Sequence, residues 1–353
     1  MNKKALIRKK LHTSKVDGIL ITDLLNVKYL TGFTGSSGYV IISQNDALFI
    51  TDFRYQEQAK HEVKGYKIVI ERGERSKGIK ELVEQRGIKK LGFEDHNVVY
   101  AFYKKLLKKN IRLKPLTETV ESLRIIKTPV EIEFIRKAVK RAESAFRKLQ
   151  PFIKTGTTER KLALKFEELL KGEGCKTIPF GVIVASGFMS ALPHARPTNR
   201  VIRKGDFIVF DWGGEYQGYY SDMTRTVVMK GGNAAKQREI YEIVLDAQKK
   251  AIDAAGSNRK ATDVDAGARN HIKHKGYEEY FGHGTGHGVG LAVHEKPSIS
   301  WRSKDVIKKN MVFTIEPGIY LPRFGGVRIE DMVMVTKTGA ELLTSLPKKF
   351  RVI

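Results

Sequence analysis

Four acidic side chains stand where this chain should be building apolar strands, and they constrain its fold more than any other feature. In DFIVFDW, the alternation of a strand puts Phe207, Val209 and Asp211 on one face. After the turn-forming GGEYQG, the run YYSDMTRTVVM carries Asp222, so a hairpin folding near Tyr216–Gln217 sets Asp211 and Asp222 directly across from each other. The pattern recurs downstream. MVFTIEPGIY ends an apolar strand on Glu316, stopped by Pro317-Gly318, and GGVRIEDMVMV holds Glu330 inside the next apolar run. Facing carboxylates in an apolar sheet repel, and each loses its hydration. Positive charge therefore belongs between them. Arg328, two residues before Glu330 and on its face, could neutralise one hairpin but not both. Asp331 is adjacent to Glu330 and should point the other way.

Between the hairpins, GHGTGHGVGLAVHE contributes His283, His287 and His294. Its glycines disfavour a helix, which excludes a helical HExxH zinc motif, and it lacks the spacing and context of a dinucleotide loop. Joined to the carboxylates, the segment reads as one imidazole ligand with proton-handling neighbours. The expected metal ligands are Asp211, Asp222, Glu316 and Glu330 with one of the three histidines. Oxygen donors outnumbering one imidazole favour Mn²⁺, with Co²⁺, Fe²⁺ or Zn²⁺ as the other divalent candidates. Shared carboxylates would hold two such ions about 3.5 Å apart, giving a nucleophile at neutral pH and a polarised carbonyl, as amide hydrolysis requires. A nucleophilic side chain is not indicated. Cys175 has no motif around it, and no serine near the histidines sits in GxSxG.

At 353 residues the chain exceeds one ordinary core, and a boundary near Ser122–Lys127 divides it into 1–124 and 125–353. The first part alternates short elements. Helices are expected near 3–14, 24–30, 54–63 and 77–85, and strands near 18–21, 39–42, 47–50, 66–70 and 91–94: a small α/β domain with a mixed sheet. KKLLKKNIRLK reads as an amphipathic helix. The second part opens on a capping box, Thr128-Pro129-Val130-Glu131, ahead of an apolar stripe at Ile132, Ile135, Ala138 and Val139. A helix near 159–170, strands near 180–185, 207–212 and 221–229, helices near 235–254 and 262–275, and further strands make it α+β. Helix pair and hairpin occurring twice suggests a weak internal duplication.

The net charge of +25 raises nucleic-acid binding, but the Lys and Arg residues are spread along candidate helices and interleaved with Glu. No RNP-like pattern, zinc-finger spacing or basic zipper accompanies them, so no nucleic-acid partner is expected. No apolar run approaches the roughly 18–20 residues that cross a bilayer, so no membrane partner is expected either. The basic N-terminus lacks the apolar stretch of a secretory signal, and a single cysteine fits a reducing compartment. Both point to the cytoplasm.

VFDWG (209–213), SDMTRT (221–226), GHGTGHGVGLAVHE (282–295), FTIEPGIY (313–320) and GGVRIEDMV (325–333) together resemble the pita-bread metallopeptidases. Within these the likeness is to the proline-specific branch, the Xaa-Pro aminopeptidases and Xaa-Pro dipeptidases (prolidases). NVKYLTGFTGSSG and FITDFRY resemble the creatinase/prolidase N-terminal domain. The resemblance implies a small α/β domain followed by a pita-bread α+β catalytic domain. It implies that Asp211 binds one ion in a bidentate manner, that Asp222 and Glu330 bridge both, and that His287 and Glu316 complete the other. It gives Glu316 a proton shuttle to the leaving imino nitrogen, and His283 and His294 the scissile carbonyl or tetrahedral intermediate. His194 becomes the substrate-side histidine and Arg328 an orienting cation, while Arg302 would reach a substrate carboxylate. The implied partners are peptides with proline at the second position and a second copy in a homodimer. Xaa-Pro aminopeptidase activity is the first expectation, with Xaa-Pro dipeptidase close behind. An inactive binding module or a metal-free amidinohydrolase would have shed ligands that this chain keeps. AAGSNRKATD departs from the family by lacking its Pro-Gly-Met-Thr type turn.

Overall fold

The computed structural model describes residues 2–178 and 180–353. The chain divides into two compact units, Met1–Arg124 and Ile125–Ile353.

The first unit is built on a six-stranded mixed sheet in the order Lys67–Ile70, Ala47–Thr51, Tyr39–Ser43, Gly18–Ile21, Lys90–Glu94, Arg112–Leu116. The three central strands pair antiparallel, and the outer ones join parallel. GILI and YVIIS are buried at every position, which is why they read as unbroken apolar runs rather than alternating ones. One expectation fails here. KKLLKKNIRLK is not a single helix: the helix Tyr100–Leu106 stops, Lys108 bridges to Ile111, and Arg112–Leu116 becomes an edge strand. Beyond the turn, Ile111 and Leu113 enter the core two residues apart, a strand period, and Pro115 is tolerated because the strand is an edge.

The second unit opens on the helix Pro129–Leu149. Thr128 accepts from the Glu131 backbone while the Glu131 side chain accepts from the Thr128 backbone. This helix packs with Glu159–Gly172, as Ala234–Ala254 packs with Ala261–His274. Three antiparallel strands follow the order Met223–Val228, Phe207–Trp212, Ile183–Ser186. A five-stranded sheet runs Glu295–Ile299, Gly286–Gly288, Val312–Ile315, Asp331–Val335, Ala340–Leu342, and Gly318–Leu321 pairs with Gly325–Arg328. The core gathers Ile240 and Val244 of one helix with Ile315, Val327, Ile329 and Val333 of the strands. Among the described residues no helix is long and apolar enough to cross a membrane.

Two details of strand pairing place the acids. GGEYQG folds into its own ribbon, Glu215–Tyr216 with Tyr219–Tyr220, turning at Gln217 and Gly218 with φ of 54° and 81°. Asp211 therefore faces Thr224, not Asp222 as the simple hairpin would have it. Asp222 lies two residues before Thr224 and so approaches Asp211 diagonally. In the second hairpin the ladder breaks at Glu316-Pro317 and Ile329-Glu330, where the chain passes from the five-stranded sheet to the two-stranded one. At the break the Glu330 amide donates to the Thr224 carbonyl (3.1 Å), which joins the two hairpins.

Candidate metal centre

The four carboxylates converge at that junction. His287 Nε2 lies 3.6 Å from Asp222 Oδ2 and 3.4 Å from Glu316 Oε1. Ligand atoms of Asp222, His287 and Glu330 all fall within 4.8 Å of one another. Thr224 Oγ1 donates to Glu330 Oε2 (2.8 Å), and Thr314 Oγ1 to Glu316 Oε1 (3.3 Å). Arg328 Nη2 donates to Asp211 Oδ2 at 2.6 Å, and its Nε to Thr224 Oγ1 at 3.0 Å. Asp331 points away, into an ion pair with Arg225 and Lys348 that holds its carboxyl below the usual range despite burial.

The histidine segment is held as a strand, Gly286–Gly288, between two others. Its glycines are demanded by close packing: a Cβ on Gly286 would stand 1.9 Å from the Thr314 carbonyl oxygen, and one on Gly288 2.1 Å from that of Lys296. The neighbouring helix fixes the loop before it. Arg269 donates to the carbonyls of Phe281 and His283, and Asp265, paired with Arg269, accepts from the Thr285 amide and hydroxyl. The Glu316 amide then donates to the Thr285 carbonyl at 2.8 Å.

These contacts set the tautomers. A carbonyl can only accept, so His287 Nδ1 carries the proton toward Gly288 O (3.2 Å) and Nε2 turns a lone pair to the carboxylates. His283 likewise donates from Nδ1 to Gly284 O (2.8 Å) and accepts at Nε2 from the Tyr320 hydroxyl (2.9 Å), which itself accepts from Arg328 Nη1 (3.0 Å). His294 and His194 line the same cavity. The His294 ring lies 4.1 Å from that of His287.

Burial, reinforced by neighbouring carboxylates, pushes the Asp222, Glu330 and Glu316 carboxyls up, Asp222 and Glu330 furthest. Burial lowers His283 and His287, and burial with the adjacent His287 brings His294 down to about 4. Burial works against the charge of Arg328, but Tyr320, Asp211 and Glu316 hold it protonated more firmly than usual.

The donor set fits divalent cations. Asp211 Oδ1, Asp222 Oδ1 and Glu330 Oε1 are buried with no hydrogen-bond partner, and the His287 lone pair faces acceptors. Buried polar atoms are rarely left so, and a bound cation satisfies all of them at once.

Of the residues expected from sequence, Asp211, Asp222, His287, Glu316, Glu330, His194, His283, His294 and Arg328 line one cavity of about 420 Å³. Arg302 is not in that lining. It is exposed, with its guanidinium 5.4 Å from the Trp301 ring. Sequence reasoning passed over Thr224, Thr314 and Tyr320. Thr224 was within reach, since strand alternation from Asp222 puts it on the same face; Tyr320 carried no signal apart from its neighbours.

Residues 133–337 match the profile of Metallopeptidase family M24, and residues 4–126 that of the Creatinase/Prolidase N-terminal domain. A curated Xaa-Pro dipeptidase of Pyrococcus horikoshii is 42% identical over 340 residues, spanning 95% of each chain. Among solved structures, an Xaa-Pro dipeptidase from Bacillus anthracis matches with a TM-score of 0.97 at 41% identity, covering 99% of both chains. An X-Pro aminopeptidase from Thermotoga maritima matches with a TM-score of 0.91 at 35% identity, covering 100% of both. The expected architecture, a creatinase/prolidase-type α/β domain ahead of a pita-bread domain, is thereby correct. With profile matches over both units and likenesses along nearly its whole length, the chain belongs to metallopeptidase family M24.

Proposed function

We propose that this protein is a metal-dependent peptidase that cleaves the Xaa-Pro bond of dipeptides, with N-terminal Xaa-Pro of longer peptides as the second reading. The observation that carries it is the set of partnerless buried carboxylate oxygens around one imidazole nitrogen, inside a cavity sized for a small ligand. Dipeptides come ahead of the aminopeptidase expectation because the dipeptidase relatives are nearer, at 41–42% identity against 35%.

Asp211, Asp222, His287, Glu316 and Glu330 would hold two divalent ions, with Mn²⁺ expected from the donor set. When bound, such ions supply a nucleophile from water at neutral pH and polarise the scissile carbonyl. The side chains do the rest. Glu316, at the edge of the cavity's acid cluster, takes a proton from the attacking water and returns it to the leaving imino nitrogen. His283 is tied at both ring nitrogens, so His294, neutral at physiological pH and lining the cavity, is the imidazole that can donate to the carbonyl oxygen. Phe180, Val182, Ile183 and Pro193 give the cavity an apolar wall for a pyrrolidine ring. A proline amide has no N–H, so that wall leaves no donor unsatisfied.

The test is a Mn²⁺-supplemented assay of Xaa-Pro dipeptides against Xaa-Pro-Xaa peptides. Dipeptides should be cleaved faster, and a chelator should abolish both activities. Full activity in metal-stripped enzyme, or no cleavage of either substrate, would overturn the reading.

A further inference from the structure

A lysine is among the largest side chains shut from solvent in this protein. Lys127 lies at the start of the second unit, where Ile126 bridges to Met311 and the Lys127 amide donates to the Asn310 carbonyl (2.9 Å). Its ammonium donates to Glu295 Oε1 at 2.7 Å and to the Ile125 carbonyl at 3.3 Å. Only 1% of the lysine side chain and 10% of the glutamate side chain are exposed. Such a pair adds little net stability, since the loss of two hydration shells offsets most of the attraction. What a charged hydrogen bond does supply is direction.

Glu295 follows His294 at the head of the strand Glu295–Ile299, so the two side chains take opposite faces: Glu295 inward to Lys127, His294 into the metal cavity. The His294 ring makes no hydrogen bond of its own among the described residues and rests against the His287 ring, centroids 4.1 Å apart. Its place is therefore set by its backbone. That backbone closes a turn. The Val289 amide donates to the Val312 carbonyl (3.2 Å), the Gly290 amide to that of Ala292 (3.0 Å), and the Gly290 carbonyl accepts from the Tyr220 amide (2.9 Å). The Glu295 carboxylate lies against this turn, for a Cβ on Gly290 would stand 2.3 Å from Oε1, the same atom that Lys127 holds. One buried ammonium thus pins the carboxylate over which the His294 turn is folded. We propose that Lys127, through Glu295, is a positioning residue for His294, aiming the imidazole that donates to the scissile carbonyl oxygen. This inference rests on the Xaa-Pro reading and on the part given to His294 above.

Lys127→Met alone would leave a buried carboxylate without that cation, which is costly to the fold. The test therefore removes both charges at once, Lys127→Met with Glu295→Met, in full-length Mn²⁺-loaded enzyme. Thioether side chains fill the space but fix no direction. With Ala-Pro as substrate, kcat should fall about tenfold or more while KM changes less than about twofold, as a misplaced catalytic group requires. Mn²⁺ affinity by titration calorimetry should match wild type, and amide hydrogen exchange over residues 289–294 should quicken. In a His294→Ala background the same two changes should lower kcat no further, because the ring they aim is gone. An unchanged kcat, an equal fall in the His294→Ala background, weakened Mn²⁺ binding or unaltered exchange over 289–294 sinks the role of Lys127 and leaves the Xaa-Pro reading standing. Wild-type kcat in His294→Ala removes the part given to His294, and this inference with it. Wild type that leaves Ala-Pro intact sinks the Xaa-Pro reading as well.

Discussion

At Glu330 the two carboxylate oxygens have different surroundings: Oε2 accepts from Thr224, whereas Oε1 is buried without a partner. Thr224 also receives Arg328 Nε, so one hydroxyl orients an acid and the cation that neutralises its neighbour. Thr224→Val keeps the shape and removes that link. Metal affinity should fall about 10–100-fold, the range for losing a partner of a metal ligand, as measured by titration calorimetry. Unaltered affinity would mean that the threonine only packs. The raised carboxyls give a pH dependence of opposite sign to the usual one. Asp222 and Glu330 bind protons more tightly folded than unfolded, so their contribution to stability is complete below about pH 4 and is lost as pH rises through their raised native values. The lowered histidines act the other way, destabilising as pH falls below about 6.5. Above that value they are neutral in both states. The melting temperature of metal-free protein should therefore decline as pH rises from about 6.5, with a shallower decline when Mn²⁺ is bound. Scanning fluorimetry with and without chelator reads this, and a metal-free profile that rises with pH would contradict it.

The strand Gly286–Gly288 shows what an element must give up to carry a ligand. It is flanked by backbone on both sides, so His287 can turn into the cavity only if its neighbours have no side chains. Gly288→Ala would place a methyl 2.1 Å from a backbone oxygen that cannot swing aside. A loss of about 3 kcal/mol or more is expected by denaturant titration. A variant of native stability would show that the sheet can open there. The ribbon Glu215–Tyr220 illustrates the opposite case, a local turn signal strong enough to shift a longer pairing. GGEYQG marked the turn correctly, but the ribbon it forms consumes residues that a plain hairpin would have used to pair Asp222 with Asp211.

In the whole molecule the centre belongs to one unit, and a single carboxylate can be removed to separate its chemistry from the rest of the fold. Asp222→Ala should lose bound metal and hydrolysis together while Met1–Arg124, which has its own sheet and core, keeps native amide protection by hydrogen exchange. Retained activity in that variant would overturn the metal reading. By itself the sequence determined which residues could not be ordinary: acids in apolar runs, glycines around histidines, a capping box at the start of a long helix. These are local statements, readable because burial of charge, close backbone approach and unsatisfied helix ends each restrict residue choice. Only the tertiary structure decided that Asp211 faces Thr224, that Tyr320 links Arg328 to His283, and that Arg302 stays outside the cavity lining. Each of those depends on side chains from separate strands or loops meeting in space, and neither periodicity nor spacing along one chain encodes such a distance.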